Sequence, residues 1–215
     1  MLMNPFPRNG AAASPVKVSA PPVYRQLFHR EDEPGRAIVE AFIRRVYAER
    51  YGADLQSFAP VLVSLCDDDG IVAAAGYRAA THGSLFLERY LDGPVESLLA
   101  AQANTPPTRD GIVEVGHLAA ARAGDGRRLI RVLAQHLDSL GFQWVVSTLT
   151  KEMRHLFIRI GITPLALGAA NPLALGADAD RWGSYYEHCP LVLAAHLQHA
   201  VMQLTRRQQS LEFPA

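Results

Sequence analysis

Between Gly111 and Leu140 the pattern of apolar and polar positions changes twice. Ile112 to Ala119 is a near-continuous apolar run, interrupted by Glu114 and His117. A short polar turn with two glycines follows, Arg122-Ala123-Gly124-Asp125-Gly126-Arg127-Arg128. Leu129, Leu133, Leu137 and Leu140 then recur at steps of four and three, the spacing of a helix that buries one stripe. The segment predicts a strand, a tight turn and a helix. Such a turn offers the outward-pointing amides of a helical first turn to an anion, and its glycines let a ligand approach the backbone.

On the N-terminal side, Val23 to Phe28 predicts a first strand and Arg36 to Tyr51 a helix closed by Gly52, with Ile38, Phe42, Val46 and Ala53 near one stripe. Phe58 to Cys66 and Ile71 to Ala79 predict a hairpin about Asp67-Asp68-Asp69-Gly70. Leu85 to Leu91 and Pro94 to Ala103 read as a helix pair broken at Asp92-Gly93, and Asn104 to Asp110 as a loop. On the C-terminal side, Phe142 to Thr148 predicts a strand parallel to Ile112 to Ala120, and Lys151 to Ile160 a helix. Leu165 to Asp180 reads as irregular, Pro190 to Ala195 as a last strand and His196 to Gln209 as a terminal helix. A hairpin combined with strand–helix–strand crossovers implies an α/β (mixed α+β) fold with a central mixed sheet.

Composition narrows this picture. Of 215 residues 49% are hydrophobic, and formal charge is balanced. That supports one well-filled domain over residues 23–215 and gives no basic footprint for nucleic acid. Residues 1–22, with five prolines among Ala, Ser and Gly, read as a disordered leader without a signal-peptide core. No apolar run is long enough to span a bilayer, so no stable membrane insertion is expected. Two cysteines, Cys66 and Cys189, make no disulfide framework, which suits a reduced, cytoplasmic protein. The eight histidines have no metal-ligand spacing, and no Gly-x-Ser-x-Gly elbow marks a serine hydrolase. Nothing in the pattern assigns an oligomeric state.

Five stretches carry a resemblance. Phe42 to Asp54 (FIRRVYAERYGAD), Gly76-Tyr77-Arg78, Leu85 to Leu91 (LFLERYL), Glu114 to Ala119 (EVGHLA) and Trp182 to Tyr186 (WGSYY) resemble, in that order, the thermostable hemolysin family, a branch of the GNAT acyltransferase superfamily. The usual asparagine of the fourth motif is His117 here. A more distant likeness joins Glu114-Val115-Gly116-His117 to the glutamate-bearing strand of acyl-homoserine lactone synthases. The resemblance implies a GNAT-like acyltransferase fold with splayed parallel strands. It also implies a donor that is acyl-CoA or a phosphopantetheine-linked acyl carrier protein, the latter as a possible protein partner, with no metal. The acceptor implied is a small-molecule amine or a derivative of an amino acid.

Acyl transfer from a thioester to an amine needs a base, donors for the developing oxyanion and a grip on the carrier arm. Glu114 is the first candidate base, because an apolar strand raises a carboxylate's pKa by desolvation; the alternative is an inward Glu paired with Arg78. His117 is the second candidate. A regular strand would put it on the opposite face from Glu114, and a bulge, which GNAT strands carry here, would bring it round. Its alternative is a histidine bonded to a neighbouring loop. Tyr186 or Tyr185 would protonate the leaving thiolate, or both are core aromatics with one wet end. For the carrier arm the resemblance implies the backbone at Leu118 and Ala119 and the turn residues Arg122, Gly124, Gly126, Arg127 and Arg128. Asp125 reads equally as a helix N-cap. Arg36, Phe42, Arg78, Thr148, Trp182 and Tyr185 are assigned to the substrates. Two other functions stay open: a thioester-binding module without turnover, and a membrane-active haemolysin-like protein resting on the terminal-helix stripe Leu197, Val201, Leu204.

Overall fold

The computed structural model describes residues 23–101 and 106–212. The expected leader, residues 1–22, lies outside them, as does the expected end of the second helix of the pair. Seven strands form one sheet in the order β1-β2-β3-β4-β5-β7-β6. In chain order these are β1 (Arg25–His29), β2 (Val61–Asp67), β3 (Gly70–Ala79), β4 (Ile112–Ala120), β5 (Trp144–Leu149), β6 (Leu165–Ala169) and β7 (Leu191–His196). Only β4 and β5 pair in parallel; every other neighbour is antiparallel. The helices are α1 (Arg36–Tyr51), α2 (Val95–Ala100), α3 (Asp125–Ser139), α4 (Lys151–Arg159) and α5 (Leu197–Glu212).

Two faces of the sheet are covered differently. On one, α3 and α5 bury Leu129, Leu133, Leu137, Leu197, Ala200 and Leu204 against Val63, Val113 and Val115. The terminal stripe that had suggested a membrane-active helix is thereby spent on the core, and no helix among the described residues is long and apolar enough to cross a membrane. On the other face α1 packs Val39, Phe42, Ile43 and Tyr47 onto Leu62, Ala74 and Ala119. The small side chains of β3 leave room for that helix to approach. The buried stripe differs from the expectation: Phe42 is buried, but Ile38 is exposed, and Val39, Ile43, Tyr47 and Tyr51, at steps of four on the same face, fill the core instead.

The expected helix pair is shorter than the pattern suggested. Phe86–Tyr90 is a 3-10 turn, and α2 covers only Val95–Ala100. The stretch expected to be irregular contains an edge strand, β6, whose alanines and glycine gave no β signal; it then runs as 3-10 turns over Pro172–His188. Helix α3 starts a turn early, with Gly124 at its N-cap (φ 102°) and Asp125 as its first residue, so Asp125 is not the cap.

Candidate functional site

Strand β4 behaves as two strands in succession. From Ile112 to Glu114 it is laddered to β5, the pairs being Ile112↔Trp144, Val113↔Val145 and Glu114↔Val146. There the ladder stops, although both strands continue. The other edge of β4 explains why. Against β3, Gly76 pairs with Gly116 and Ala74 with Ala119, so three steps on β4 face two on β3. That is a bulge, and His117 sits in it with φ 54°. The extra residue changes which side chains share a face. Val113, Val115 and Leu118 pack toward α3, while Ala119 packs toward α1. Strict alternation would have put 113, 115, 117 and 119 together.

The consequence is a cleft of about 370 Å³ between the released half of β4 and the end of β5. Its lining includes Leu118, Ala119, Gly124, Gly126, Arg127, Thr148 and Tyr185. Gly124 is required by its left-handed backbone. Gly126 is not. A Cβ there would meet nothing closer than Ala120 Cβ at 3.6 Å, an ordinary contact. Its missing side chain leaves the cleft open instead. Arg127 faces the cleft without an acidic partner among the described residues. Arg122 reaches it too, held by Asp67 at 3.2 Å. Arg128 turns elsewhere, donating to Tyr24 Oη and pairing with Asp125, so it is not brought to the cleft.

A second cavity, about 100 Å³, opens on the α1 side of the same bulge. Glu114, His117, Arg78, Thr148, Trp182 and Tyr185 all line it, together with Tyr47, Phe58, Phe86 and Tyr90. It meets the cleft at Gly116, His117, Thr148 and Tyr185. It opens outward, past Arg78, Phe86 and Trp182, into a groove of about 780 Å³. A third, apolar cavity of about 50 Å³ lies behind β4 and β5, against α3 and α5; it shares Leu118, Ile130 and Leu149 with the cleft.

The Glu114 carboxylate accepts from Phe86 N at 2.8 Å and Leu87 N at 3.0 Å. The alternative reading, a Glu paired with Arg78, is not what forms among the described residues: the two are register neighbours across β3 and β4, but the carboxylate has turned to the backbone. Burial raises the pKa of Glu114, against the opposing pull of those two amides and of Arg78. Glu88 fixes the far side of the same 3-10 turn. It accepts from Leu85 N and Val95 N and pairs with Arg109 at 2.8 Å.

His117 is lowered to about 4, chiefly by burial, so its ring is neutral near pH 7. The Ser57 carbonyl draws one ring nitrogen. Nδ1 is buried without a partner and lies 3.2 Å from where a Cβ on Gly76 would stand. One nitrogen thus faces the Ser57 carbonyl at the cavity wall and the other faces Gly76 in the sheet. The left-handed backbone suits asparagine, the residue expected at this motif position, and tolerates histidine at a cost of order 1 kcal/mol. The departure from the motif is conformational.

The aromatic wall rests on one close approach. Gly183 (φ 52°) leaves room for Tyr51 O, which a Cβ would meet at 2.0 Å. Ser184 Oγ donates to the same carbonyl, and Asp54 N donates to Arg181 O at 2.7 Å. Tyr185 Oη donates to Thr148 O at 3.2 Å, and burial among tyrosines raises its pKa well above the phenolic range. Tyr186 does not line the cavity; its hydroxyl lies 2.7 Å from that of Tyr90, which does. Thr148 Oγ1 is buried without a hydrogen-bond partner among the described residues where cleft and cavity meet.

Two expected residues lie elsewhere. Arg36 is 8% exposed and fully committed, donating to the carbonyls of His29, Ala59 and Pro60 and pairing with Glu40. It ties α1 to the segment before β2. Phe42 is a core residue under α1. Tyr47, Phe58, Phe86 and Tyr90 were missed as site residues because aromatics at such spacing read as core. Their one signal was that three of them stand within the quoted motifs.

Comparison with known proteins agrees with this fold. A family model described as thermostable hemolysin matches residues 29–201. Among solved structures, the acyl-homoserine lactone synthase LasI is similar with a TM-score of 0.57 at 16% identity, over 84% of this chain and 95% of its own. FeeM, an N-acyl amino acid synthase from uncultured soil microbes, gives 0.56 at 13% identity, over 86% and 98%. BjaI, a CoA-dependent acyl-homoserine lactone synthase solved with SAM and isopentyl-CoA, gives 0.56 at 12% identity, over 91% and 92%. No curated protein matches the sequence. The seven-stranded mixed sheet and these likenesses give the chain the GNAT-like acyltransferase fold.

Proposed function

Because the chain belongs to the thermostable hemolysin family, we propose that its GNAT-like scaffold works as an N-acyltransferase. The donor is an acyl thioester of coenzyme A or of an acyl carrier protein, and the acceptor a small amine or amino-acid derivative. The observation that carries this reading is the release of β4 from β5 after Glu114, which leaves two strand edges facing one cleft. Unpaired edges offer amides and carbonyls to an extended, amide-bearing ligand such as a phosphopantetheine arm. Gly126 and Arg127 stand at one side of that cleft, ready for its phosphate. The apolar cavity behind Leu118 and Ile130 suits a fatty acyl chain rather than a polar one. The solved structures of FeeM and BjaI, an N-acyl amino acid synthase and a CoA-dependent synthase, support an acyl thioester and an amine as the reacting classes.

In the reaction the amine nitrogen attacks the thioester carbonyl. The C–N bond forms, the ammonium proton passes to Glu114, the C–S bond breaks, and the thiolate leaves and takes up a proton. Glu114 is suited to the base, since burial raises its pKa and the Phe86 and Leu87 amides hold it at the cavity wall. The donor to the oxyanion in this reading is Thr148 Oγ1, which is buried without a hydrogen-bond partner among the described residues where cleft and cavity meet. Tyr186 acts on the cavity through Tyr90.

The test is Glu114→Gln, assayed across pH with octanoyl-CoA and a panel of amines. The expected result is a loss of about a hundredfold or more in rate with octanoyl-CoA affinity unchanged and the acidic limb of the pH profile gone. Full activity in Glu114→Gln would remove the glutamate from the reaction.

A further inference from the structure

Arg78 occupies a position that the fold alone does not explain. It stands near the end of β3, directly across from Glu114 on β4, so the two side chains lie on one face. It lines both the inner cavity and the outer groove. Its guanidinium makes no hydrogen bond and no ion pair with any described residue. The acids around it are committed elsewhere or out of the cavity. Glu114 is held by two backbone amides, Glu88 by Arg109 and two more amides, and Asp178 pairs with Arg181 at 3.7 Å. Asp54 is exposed at the groove's rim. A half-buried guanidinium with five donors and no acceptor is a standing site for a carboxylate.

The neighbouring cavity sets what that carboxylate belongs to. At about 100 Å³ it is much narrower than the groove of about 780 Å³ into which it opens, so the reacting amine fits the first and the rest of the acceptor the second. The cavity wall carries a carboxylate, Glu114, which attracts an ammonium. Directly across the β3–β4 ladder from it stands Arg78, with no hydrogen bond or ion pair among the described residues. Opposite charges on directly opposed positions match the α-ammonium and α-carboxylate of one zwitterion. The groove beyond, walled by Phe86 and Trp182, is left for the acceptor's side chain.

We propose that Arg78 reads the α-carboxylate of the acceptor and that the acceptor is a free α-amino acid. This rests on the acyl-transfer reading above and narrows it from amines in general. The α-ammonium loses two protons in becoming an amide N–H, one taken by Glu114 and one taken up by the departing thiolate as the C–S bond breaks, and the α-carboxylate is unchanged. The product is an N-acyl amino acid with its acid group free.

The experiment uses the full-length protein with octanoyl-CoA as donor and the twenty proteinogenic L-amino acids as acceptors. Each acylated acid is compared with its α-carboxamide and its decarboxylated amine, in the native chain and in Arg78→Gln and Arg78→Lys. Octanoyl-CoA affinity is measured separately by calorimetry. In the native chain the acid should exceed its amide by about thirtyfold or more in kcat/KM, mostly through KM. Arg78→Gln should bring the ratio of acid to amide in kcat/KM down to about one, chiefly through a raised KM for the acid, with octanoyl-CoA affinity unchanged, and Arg78→Lys should recover part of the ratio. Equal rates for acid, amide and amine in the native chain would overturn the inference, even if Arg78→Gln failed to fold. So would an Arg78→Gln protein that loses all three acceptors equally. Octanoyl transfer to amines lacking a carboxylate, and to no amino acid, would overturn it while leaving acyl transfer standing. Transfer to no amine at all would overturn acyl transfer itself.

Discussion

The two halves of β4 make the most instructive comparison in this molecule. Ile112 to Glu114 is laddered to β5, with Val113 and Glu114 laddered to β3 as well, and it supplies core residues to both faces of the sheet. Gly116 to Ala120 keeps its β3 partner, loses β5 and lines the cleft. Nine consecutive residues thus change from scaffold to site, and the change falls at a single bulge. In the first half Ile112 and Val113 fill space and the backbone groups are spent, with Glu114 at the border turned into the cavity. In the second half Gly116, Ala119 and Ala120 leave the cleft open. Substitutions at Ile112 and Val113 should therefore cost stability and spare ligand binding, and substitutions around the second half should do the reverse.

The largest expected departure from that division is His117, which belongs to the second half by position and to the scaffold by contact. Its folded pKa, about 4, lies below the 6.5 of the unfolded chain. The unfolded chain therefore binds a proton that the folded chain refuses, and stability falls as pH drops from about 6.5 to about 4. The full effect is about 3 kcal/mol. Urea unfolding from pH 7 to pH 4 should show this slope, and His117→Asn, which also suits the left-handed backbone, should reduce it by that amount. An equal slope in both proteins would mean that His117 titrates freely.

Val113 tests the other half. It is fully buried between the sheet and α3. Val113→Ala should lower stability by about 2 kcal/mol through the cavity it leaves, with octanoyl-CoA affinity within twofold of native. A large loss of affinity would mean that the two halves are coupled. The smallest effect separates two adjacent arginines. Arg127→Ala should weaken octanoyl-CoA binding about tenfold, as expected for one charged hydrogen bond, while Arg128→Ala should leave it nearly unchanged. Arg127 faces the cleft, and Arg128 is held by Asp125 and Tyr24. Equal effects from the two would place the anion on the helix face rather than in the turn.

Much of this was legible in the sequence. The strand, turn and helix from Ile112 onward stood in the periodicity, and their position next to a parallel strand followed from chain order. The mixed sheet was readable because a hairpin signal and a crossover signal occurred in one chain. Strand β6 was not, because Leu165 to Ala169 is mostly alanine and glycine and its place is set by pairing with β7. At the site, Glu114 was visible as a carboxylate in an apolar run, but its partners were not. They are backbone amides of Phe86 and Leu87, and an amide leaves no mark on the side-chain sequence. Arg36 shows the converse limit. A buried arginine that ties three carbonyls together has the same letter as one that waits for a substrate, and only its contacts tell them apart.

Gly126 offers the most direct test, because nothing in the fold needs its missing side chain. The measurement is calorimetric titration of octanoyl-CoA into the native protein and into Gly126→Val, with thermal unfolding of both as the control. If the released half of β4 and the glycine turn form a thioester site, the valine should occupy the path of the phosphate. Binding should fall by at least about a hundredfold, equivalent to about 3 kcal/mol, with the melting temperature little changed. Unchanged affinity in a folded Gly126→Val protein would contradict the assignment of this cleft to the donor.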